Sequence, residues 1–346
     1  MPTRTRSLVT GLTALLAVAL TACGSGSGGD VVARAGSADA AAATALPISF
    51  QTTPGLVNLP ELADALGYLA PLTPNRVGDV QGGPAGIQAV ATGDVTIGAA
   101  FNGSILSLAA SGAKVKAVIG FTGTNQDNNT GFYSLESSPV RSARDLIGKS
   151  VGVNTKGALQ EAVLVEWLAK GGLSKEEIAK VTLVPIPLAS AEQALRQKQV
   201  DAVGLSVSFQ FAALERGGLN KLFSDLDVYG PFTSGSYILS DKFIGEHPAE
   251  AKHLVGALAK TIDWSQAHST QEILDVYTKY LNEHGRADAA AALKSWKGSG
   301  LTAPHGTLSD ADFSPWLNWL ETYGTLKPGQ VKVADVFTND LNGTRG

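Results

Sequence analysis

The stretch Ser137-Ser138-Pro139-Val140-Arg141-Ser142-Ala143-Arg144-Asp145-Leu146-Ile147-Gly148-Lys149-Ser150-Val151-Gly152-Val153 decides the reading of the fold. Pro139 opens a turn, Asp145-Leu146 closes a short helical turn, and Gly148-Lys149 leads into a strand. Outward from it, short β-branched runs at 46–50, 76–80, 95–99, 115–121, 132–135, 150–154, 181–186, 202–205 and 236–240 read as strands. Amphipathic helices are expected near 59–67, 86–92, 104–111, 158–170 and 191–198. Strands alternating with helices predict βαβ units and an α/β fold with mostly parallel sheets. After residue 240 the pattern is nearly all helical to about 323, with long helices over 248–265 and 309–323. A faint echo links 89–97 with 194–202: each is a helix end, a polar turn and a buried strand.

The chain has 346 residues, enough for about two domains. Its 44% hydrophobic content supports a sizeable core and excludes wholesale disorder. A net charge of −4 argues against a nucleic-acid partner, which calls for a basic face. One cysteine excludes a disulfide framework and a Cys-rich metal site.

That cysteine stands at a telling place. Arg4 and Arg6 form a positive start, residues 8–20 form an apolar run, and small residues follow. This is a secretory signal, too short to span a bilayer. Leu20-Thr21-Ala22-Cys23 resembles the lipobox of bacterial lipoproteins, which implies cleavage before Cys23 and a lipid on its thiol. Residues 1–22 are then the signal peptide, and loss of Arg4 and Arg6 makes the mature chain two charges more acidic. Residues 23–45 hold the lipidated Cys23 and a tether of Gly, Ser and Ala with a reach of about 25 Å. The expected location is the outer face of the cell membrane, anchored and not spanning.

The pattern S-P-(V/I)-(R/K)-x-x-x-D-L-x-G-K-x-(V/I)-G, carried here by residues 138–152, resembles ABC-importer substrate-binding proteins of the nitrate/sulfonate/taurine/thiamine-precursor group. Residues 86–98 look like that family's first-lobe helix and strand, 193–202 like the second-lobe counterpart, and 333–341 like its usual ending. The resemblance covers about residues 46–345. It implies the two-lobed type II periplasmic-binding-protein fold, with a ligand held between lobes that close on a hinge. Lobe 1 is expected over 46–134 plus 236–346 and lobe 2 over 135–235, with crossings near 132–135 and 236–239.

Ligands of open α/β sheets sit beyond the carboxyl ends of strands, where helix N-termini converge. That rule nominates Gln51 and Thr52 after the first strand. It adds Gly83 and Pro84 at a helix start, and Asn102 and Ser104 after the third strand. In the second lobe it nominates Thr155, Lys156, Gly157 and Ala158, where free N–H groups favour an anion, and then Ser206 and Ser208. Tyr237 lies near a crossing, as do Phe121 and Phe132. Gly152 and Gly157 superficially match a P-loop, but Ala158 stands where Lys is required, so no nucleotide site is expected. Trp316, Trp319, Leu320 and Tyr323 recur at helical spacing and read as a core stripe. The five His lie between His247 and His305, in no metal-ligand spacing.

The expectation is a binding module and not an enzyme. A lipid-anchored, monomeric receptor without a cofactor would capture a small sulfonate-, nitrate- or carboxylate-like anion and pass it to an ABC permease. The alternatives are a thiamine-precursor-like heterocycle as ligand, or a sensor that does not transport. An enzyme on the same scaffold would need a nucleophile and base. No Cys follows residue 23, no His precedes His247, and no G-x-S-x-G elbow is present.

Overall fold

The computed structural model describes residues 43–80, 83–323 and 326–343, apart from the Val207 side chain. The expected signal peptide, Cys23 and nearly all of the expected tether lie outside the described residues. The strands are β1 (Pro47–Thr52), β2 (Thr73–Asp79), β3 (Ile97–Phe101), β4 (Val115–Thr124), β5 (Gly131–Leu135), β6 (Ser150–Val153), β7 (Thr182–Pro185), β8 (Ala202–Leu205), β9 (Leu219–Ser224) and β10 (Phe232–Ser240). The helices before the second sheet are α1 (Leu59–Ala65), α2 (Gly83–Thr92) and α3 (Asn102–Ala110). Those of the second sheet are α4 (Leu159–Lys170), α5 (Lys175–Ile178), α6 (Leu188–Arg196), α7 (Val207–Glu215) and α8 (Asp225–Tyr229). The remainder are α9 (Asp241–Glu246), α10 (Pro248–Ala267), α11 (Thr270–Glu283), α12 (Ala287–Ala292) and α13 (Ser314–Thr322).

Two five-stranded sheets form, ordered β2-β1-β3-β10-β4 and β7-β6-β8-β5-β9. In the first, β1 pairs parallel with β2 and β3, while β10 pairs antiparallel with β3 and β4. In the second, β6 pairs parallel with β7 and β8, while β5 pairs antiparallel with β8 and β9. The sheets are thus more evenly mixed than alternation predicts. The reason is topological: β10 and β5 are the strands by which the chain enters each sheet after crossing from the other. The two sheets have the same plan, and the sequence echo falls on equivalent units, α2 with β3 and α6 with β8.

The chain crosses through residues 125–130 and returns through 230–231, ahead of the expected positions. Polar ladder pairs hid the difference. Thr124 pairs with Phe232 and Gly123 with Thr233, so β4 and β10 both extend past their β-branched centres. Strand β9 and helix α7 were not anticipated either. Strand β9 brings the half-buried Asn220 and the exposed Lys221 to the sheet edge, where polar residues blunt the alternation signal.

Burial follows position. The edge strand β2 is mostly exposed, while β8 is buried throughout. One face of the first sheet packs Ile48, Phe50 and Ile97 against Leu254 and Leu258 of α10. Its other face meets Ile105 and Leu106 of α3 and Trp316 of α13. The stripe on α13 is core: Trp316, Trp319 and Leu320 are buried, and Tyr323 packs at its edge. The Trp316 ring lies 4.8 Å from both Phe101 and Tyr229, so it packs the return crossing from below. In the second sheet Phe132 is stacked on Phe223 at 4.5 Å, deep in the core with Leu146 and Val151.

The opening stretch folds as read. Asp145 accepts the backbone N–H groups of Arg141 and Ser142 and the Ser142 hydroxyl, which fixes the turn before Arg144–Leu146. Gly148 has φ +77°, a conformation that glycine adopts without strain.

Candidate functional site

A cavity of about 150 Å³ lies between the two sheets, at the carboxyl ends of β1, β3, β4, β6 and β8. Thr53 and Phe101 come from the first lobe, Asn154 and Ser206 from the second, and Asn128 to Thr130 from the first crossing. Asp225 comes from the start of α8.

The second-lobe wall is a tied network. Gln160 Oε1 accepts the Asn154 N–H at 2.7 Å, and Gln160 Nε2 donates to Ser206 Oγ at 2.9 Å. Ser206 Oγ also lies 2.9 Å from Thr130 Oγ1. Gln210 Oε1 accepts the Gly131 N–H at 2.6 Å, and its amide donates to Asn129 Oδ1 at 3.0 Å. Gln160 is buried against Gly204, where an added Cβ would stand 2.9 Å from its amide carbon. Asn154 Oδ1 is buried without a hydrogen-bond partner among the described residues.

Asp225 is the only ionisable side chain on this wall among the described residues. It is 1% exposed. Its carboxylate accepts the Thr124 hydroxyl at 2.8 Å, the Thr130 N–H at 2.9 Å and the Leu226 N–H at 2.8 Å. Burial pushes its pKa up to about 6, and these three donors limit the rise. Thr124 and Thr130 bracket the crossing segment, so Asp225 bolts both ends of that segment to the second lobe.

Besides the Thr124–Asp225 bond, and a bond from Lys175 Nζ on α5 to the Thr322 carbonyl of α13 at 2.8 Å, two hydroxyl bonds beside the cavity join the lobes. Ser104 Oγ on α3 donates to the Gly157 carbonyl at 2.6 Å, and Ser208 Oγ on α7 donates to the Gly55 carbonyl at 2.8 Å. The lobes are therefore held together at a point on each lobe's own loop.

The nominated residues divide accordingly. Ser206 is on the cavity wall. Ser104, Gly157 and Ser208 take part in bonds between lobes, and Pro84 sits opposite Gly157. Gly157 has φ +71°, and its N–H is taken by Glu161 at 2.7 Å. Thr52, the last residue of β1, is off the wall, while its neighbour Thr53 in the loop that follows is on it. Thr52 instead accepts from Arg76 Nε at 2.9 Å and donates to Asp79. Gln51, a half-buried residue of β1, and Gly83, against the Phe101 backbone, are also off the wall. Asn102 donates to the carbonyls of Thr233 and Asp312 and accepts from Ser236, so its amide is fully engaged in the core. Thr155 and the exposed Lys156 do not line the cavity, and Ala158 is a buried residue at the start of α4. Tyr237 is core, its hydroxyl pushed well up by burial, with its ring 4.9 Å from Phe121. Phe121 does reach the wall.

The residues not nominated carry most of the wall. The run Asn125-Gln126-Asp127-Asn128-Asn129-Thr130 after β4 is a polar loop at a strand end, a signal that could have found it. Gln160 had a weaker one, a polar residue on the buried face of an apolar helix. Asp225 lies in an ordinary capping sequence, Ser224-Asp225-Leu226-Asp227, and had none. Among the described residues no three His, Cys, Asp or Glu converge as metal ligands would.

Residues 80–272, more than half of the chain, match the family described as NMT1/THI5 like. The chain belongs to the NMT1/THI5-like family. No curated protein matches it by sequence. Solved structures share its fold at low identity. The alkanesulfonate-binding protein SsuA from Xanthomonas axonopodis pv. citri, bound to MOPS, is 21% identical with a TM-score of 0.64, over 86% of this chain and 99% of that one. The periplasmic nitrate-binding protein NrtA from Synechocystis PCC 6803 is 12% identical with a TM-score of 0.63, over 87% of each chain. The desulfurization enzyme DszB is 15% identical with a TM-score of 0.57, over 86% of this chain and 97% of that one. The family's architecture is thus the type II periplasmic-binding-protein fold, and both binding proteins and an enzyme are built on it.

Proposed function

We propose that this chain is the solute receptor of an ABC importer, and that it captures a small sulfonate-, nitrate- or carboxylate-like anion by closure of its two lobes. The observation that carries this reading is the cavity between the sheets, lined from both lobes and bridged by Ser104–Gly157 and Ser208–Gly55. Its size suits a small solute. Its wall offers hydroxyl and amide groups from Thr53, Thr122, Asn129, Thr130, Ser206 and Ser234, which can solvate an anion as water does. Membership of the family and its likeness to two solute-binding proteins support the transport role.

The chain is anchored through Cys23 on the outer face of the membrane, acts as a monomer, and presents its closed form to the permease. Among the described residues no helix is long and apolar enough to cross a membrane. In an expressing bacterium, Cys23→Ser should move the protein from the membrane to the soluble fraction; an unchanged distribution would remove the anchor.

One observation favours a second ligand class. Asp225 and the unpartnered Asn154 Oδ1 are both acceptors, and they match a heterocycle that presents N–H groups, such as a thiamine precursor. Thermal shift of the full chain against sulfonates, nitrate, carboxylates and aminopyrimidines separates the classes. Ligand at about 100 times its Kd adds about 2.7 kcal/mol of stability. A response confined to anions supports the first reading, and one confined to pyrimidines supports the second. A flat panel with folded protein would count against both.

A further inference from the structure

We propose that the cleft continues behind Phe121 into a second chamber that takes the apolar body of an elongated organic anion, while the charged head stays among the hydroxyls and amides of the cleft. The proposal rests on the anion-receptor reading above. The second chamber has a volume of about 320 Å³, roughly twice that of the cleft cavity. Three segments pass from one to the other. Thr53 and Leu56 line the cleft, and Val57 and Leu59 line the chamber. Asn128 and Asn129 line the cleft, and Asn125 and Asp127 line the chamber. Phe121 belongs to both walls.

The buried side chains of the chamber wall are Leu59, Ile262, Ile273, Trp296 and Leu301, of which Trp296 keeps an indole N–H without a partner among the described residues. The polar side chains Gln266, His268 and Lys297 of this wall are exposed and form the rim. Apolar depth with a polar rim suits an alkyl or aryl body. The cleft sets hydroxyls and amides beside the apolar side chains of Leu56, Phe101 and Leu159.

The chamber also closes with the lobes. Lys297 Nζ lies 4.9 Å over the ring of Phe211, which α7 brings from the second lobe. The loop that carries Lys297 is tied to the first crossing, since Gly123 N–H, the Thr122 hydroxyl and the Asn128 amide all donate to the Ser299 carbonyl. A tail in the chamber would therefore contact the segment about which the lobes move.

Calorimetry on the full chain with n-alkanesulfonates from ethane- to octanesulfonate tests this. Burying each added methylene should tighten binding about fourfold until the chamber is full. In Ser265→Phe, which places a ring in the chamber, ethanesulfonate should bind as in the wild type while the gain with length disappears. In Leu301→Ala, which enlarges the chamber, the gain should run to longer chains; this second variant decides the matter if the first does not fold. Affinity independent of length, or a gradient unchanged in both variants, would overturn the chamber and leave the receptor reading standing. Failure of every sulfonate to bind would overturn the anion reading itself, and the chamber with it.

Discussion

The Ser104 hydroxyl reaches the Gly157 carbonyl at 2.6 Å, joining the first turn of α3 in one lobe to the loop before α4 in the other. Ser104 is fully buried, whereas Gly157 is exposed. The bond exists only when the lobes are together, so it contributes to closure and not to the stability of either lobe. Ser104→Ala should therefore weaken any cleft ligand by about 2–10-fold, the worth of one hydrogen bond, and leave Tm nearly unchanged without ligand. Titration calorimetry beside a melt reads both. A fall in Tm with unchanged affinity would mean that the bond serves folding instead.

Ser208 makes the same kind of bond to Gly55 from the other direction. The two sites share no hydrogen-bond partner, so their effects on affinity should multiply in Ser104→Ala/Ser208→Ala. Small-angle scattering should show the double variant more extended than the wild type. If the double variant binds no worse than either single one, the two bonds are not independent latches.

Gln160 holds two parts of the cavity wall, the Asn154 N–H and the Ser206 hydroxyl, and it fits only because residue 204 is glycine. Gly204→Ala would drive a methyl group into the Gln160 amide at 2.9 Å. The expected result is a loss of about 1–3 kcal/mol in stability and a tenfold or larger loss in cleft affinity. Gln160→Ala combined with Gly204→Ala should recover the stability, because the clash is gone, but not the affinity. Recovery of both would mean that Gln160 plays no part in shaping the wall.

The legible and illegible parts of this molecule divide along physical lines. Apolar periodicity exposed β1 to β8 except for their ends, and it exposed the α13 stripe, because burial of one face leaves a repeat in the sequence. It did not expose the polar ends of β4 and β10, where threonine and serine pair in a ladder without an apolar repeat. The rule that ligands lie beyond strand ends points to the edge of both sheets where the cavity lies, and Ser206 is on the cavity wall. It could not choose between Thr52 and Thr53, since the residue at which β1 gives way to its loop is not marked in the sequence. Nor could it tell that Asn102 would be engaged by Thr233, Asp312 and Ser236, contacts made across more than 130 positions of sequence. Asp225 was invisible for the same reason, as its partners come from the other crossing.

Arg286 and Glu61 form an ion pair beneath the first strand, with side chains 19% and 3% exposed. Burial raises the Glu61 pKa, while Tyr277 and Arg286 oppose the rise. Removing the arginine leaves a buried carboxylate without its counter-charge. Arg286→Ala should cost about 3–5 kcal/mol at neutral pH. The loss should shrink in acid, where Glu61 takes up a proton. By contrast, breaking the exposed Arg144–Glu177 pair should cost at most about 1 kcal/mol. Denaturant melts of both variants at two pH values test the comparison, and equal losses would refute it.

Asp225 gives the two ligand readings opposite dependences on pH. Its folded pKa of about 6 stands above its ordinary value of 3.8, so the folded protein binds the extra proton between those limits. Stability should therefore fall as pH rises from about 4 to about 6, by up to about 3 kcal/mol from this group, and then level off. Asp225→Asn can still accept the Thr130 and Leu226 N–H groups, and its stability should be flat over that window. Binding carries the same sign further. An anion entering the cavity is repelled by the carboxylate and favours its protonated form, so anion affinity should be higher at pH 5 than at pH 7.5. A protonated heterocycle is attracted by the carboxylate, so its affinity should be lower at pH 5 unless the ligand itself gains charge there. In Asp225→Asn either slope should vanish. Calorimetry at the two pH values with wild type and variant decides the class. Equal slopes in both proteins would mean that Asp225 does not sense the ligand at all.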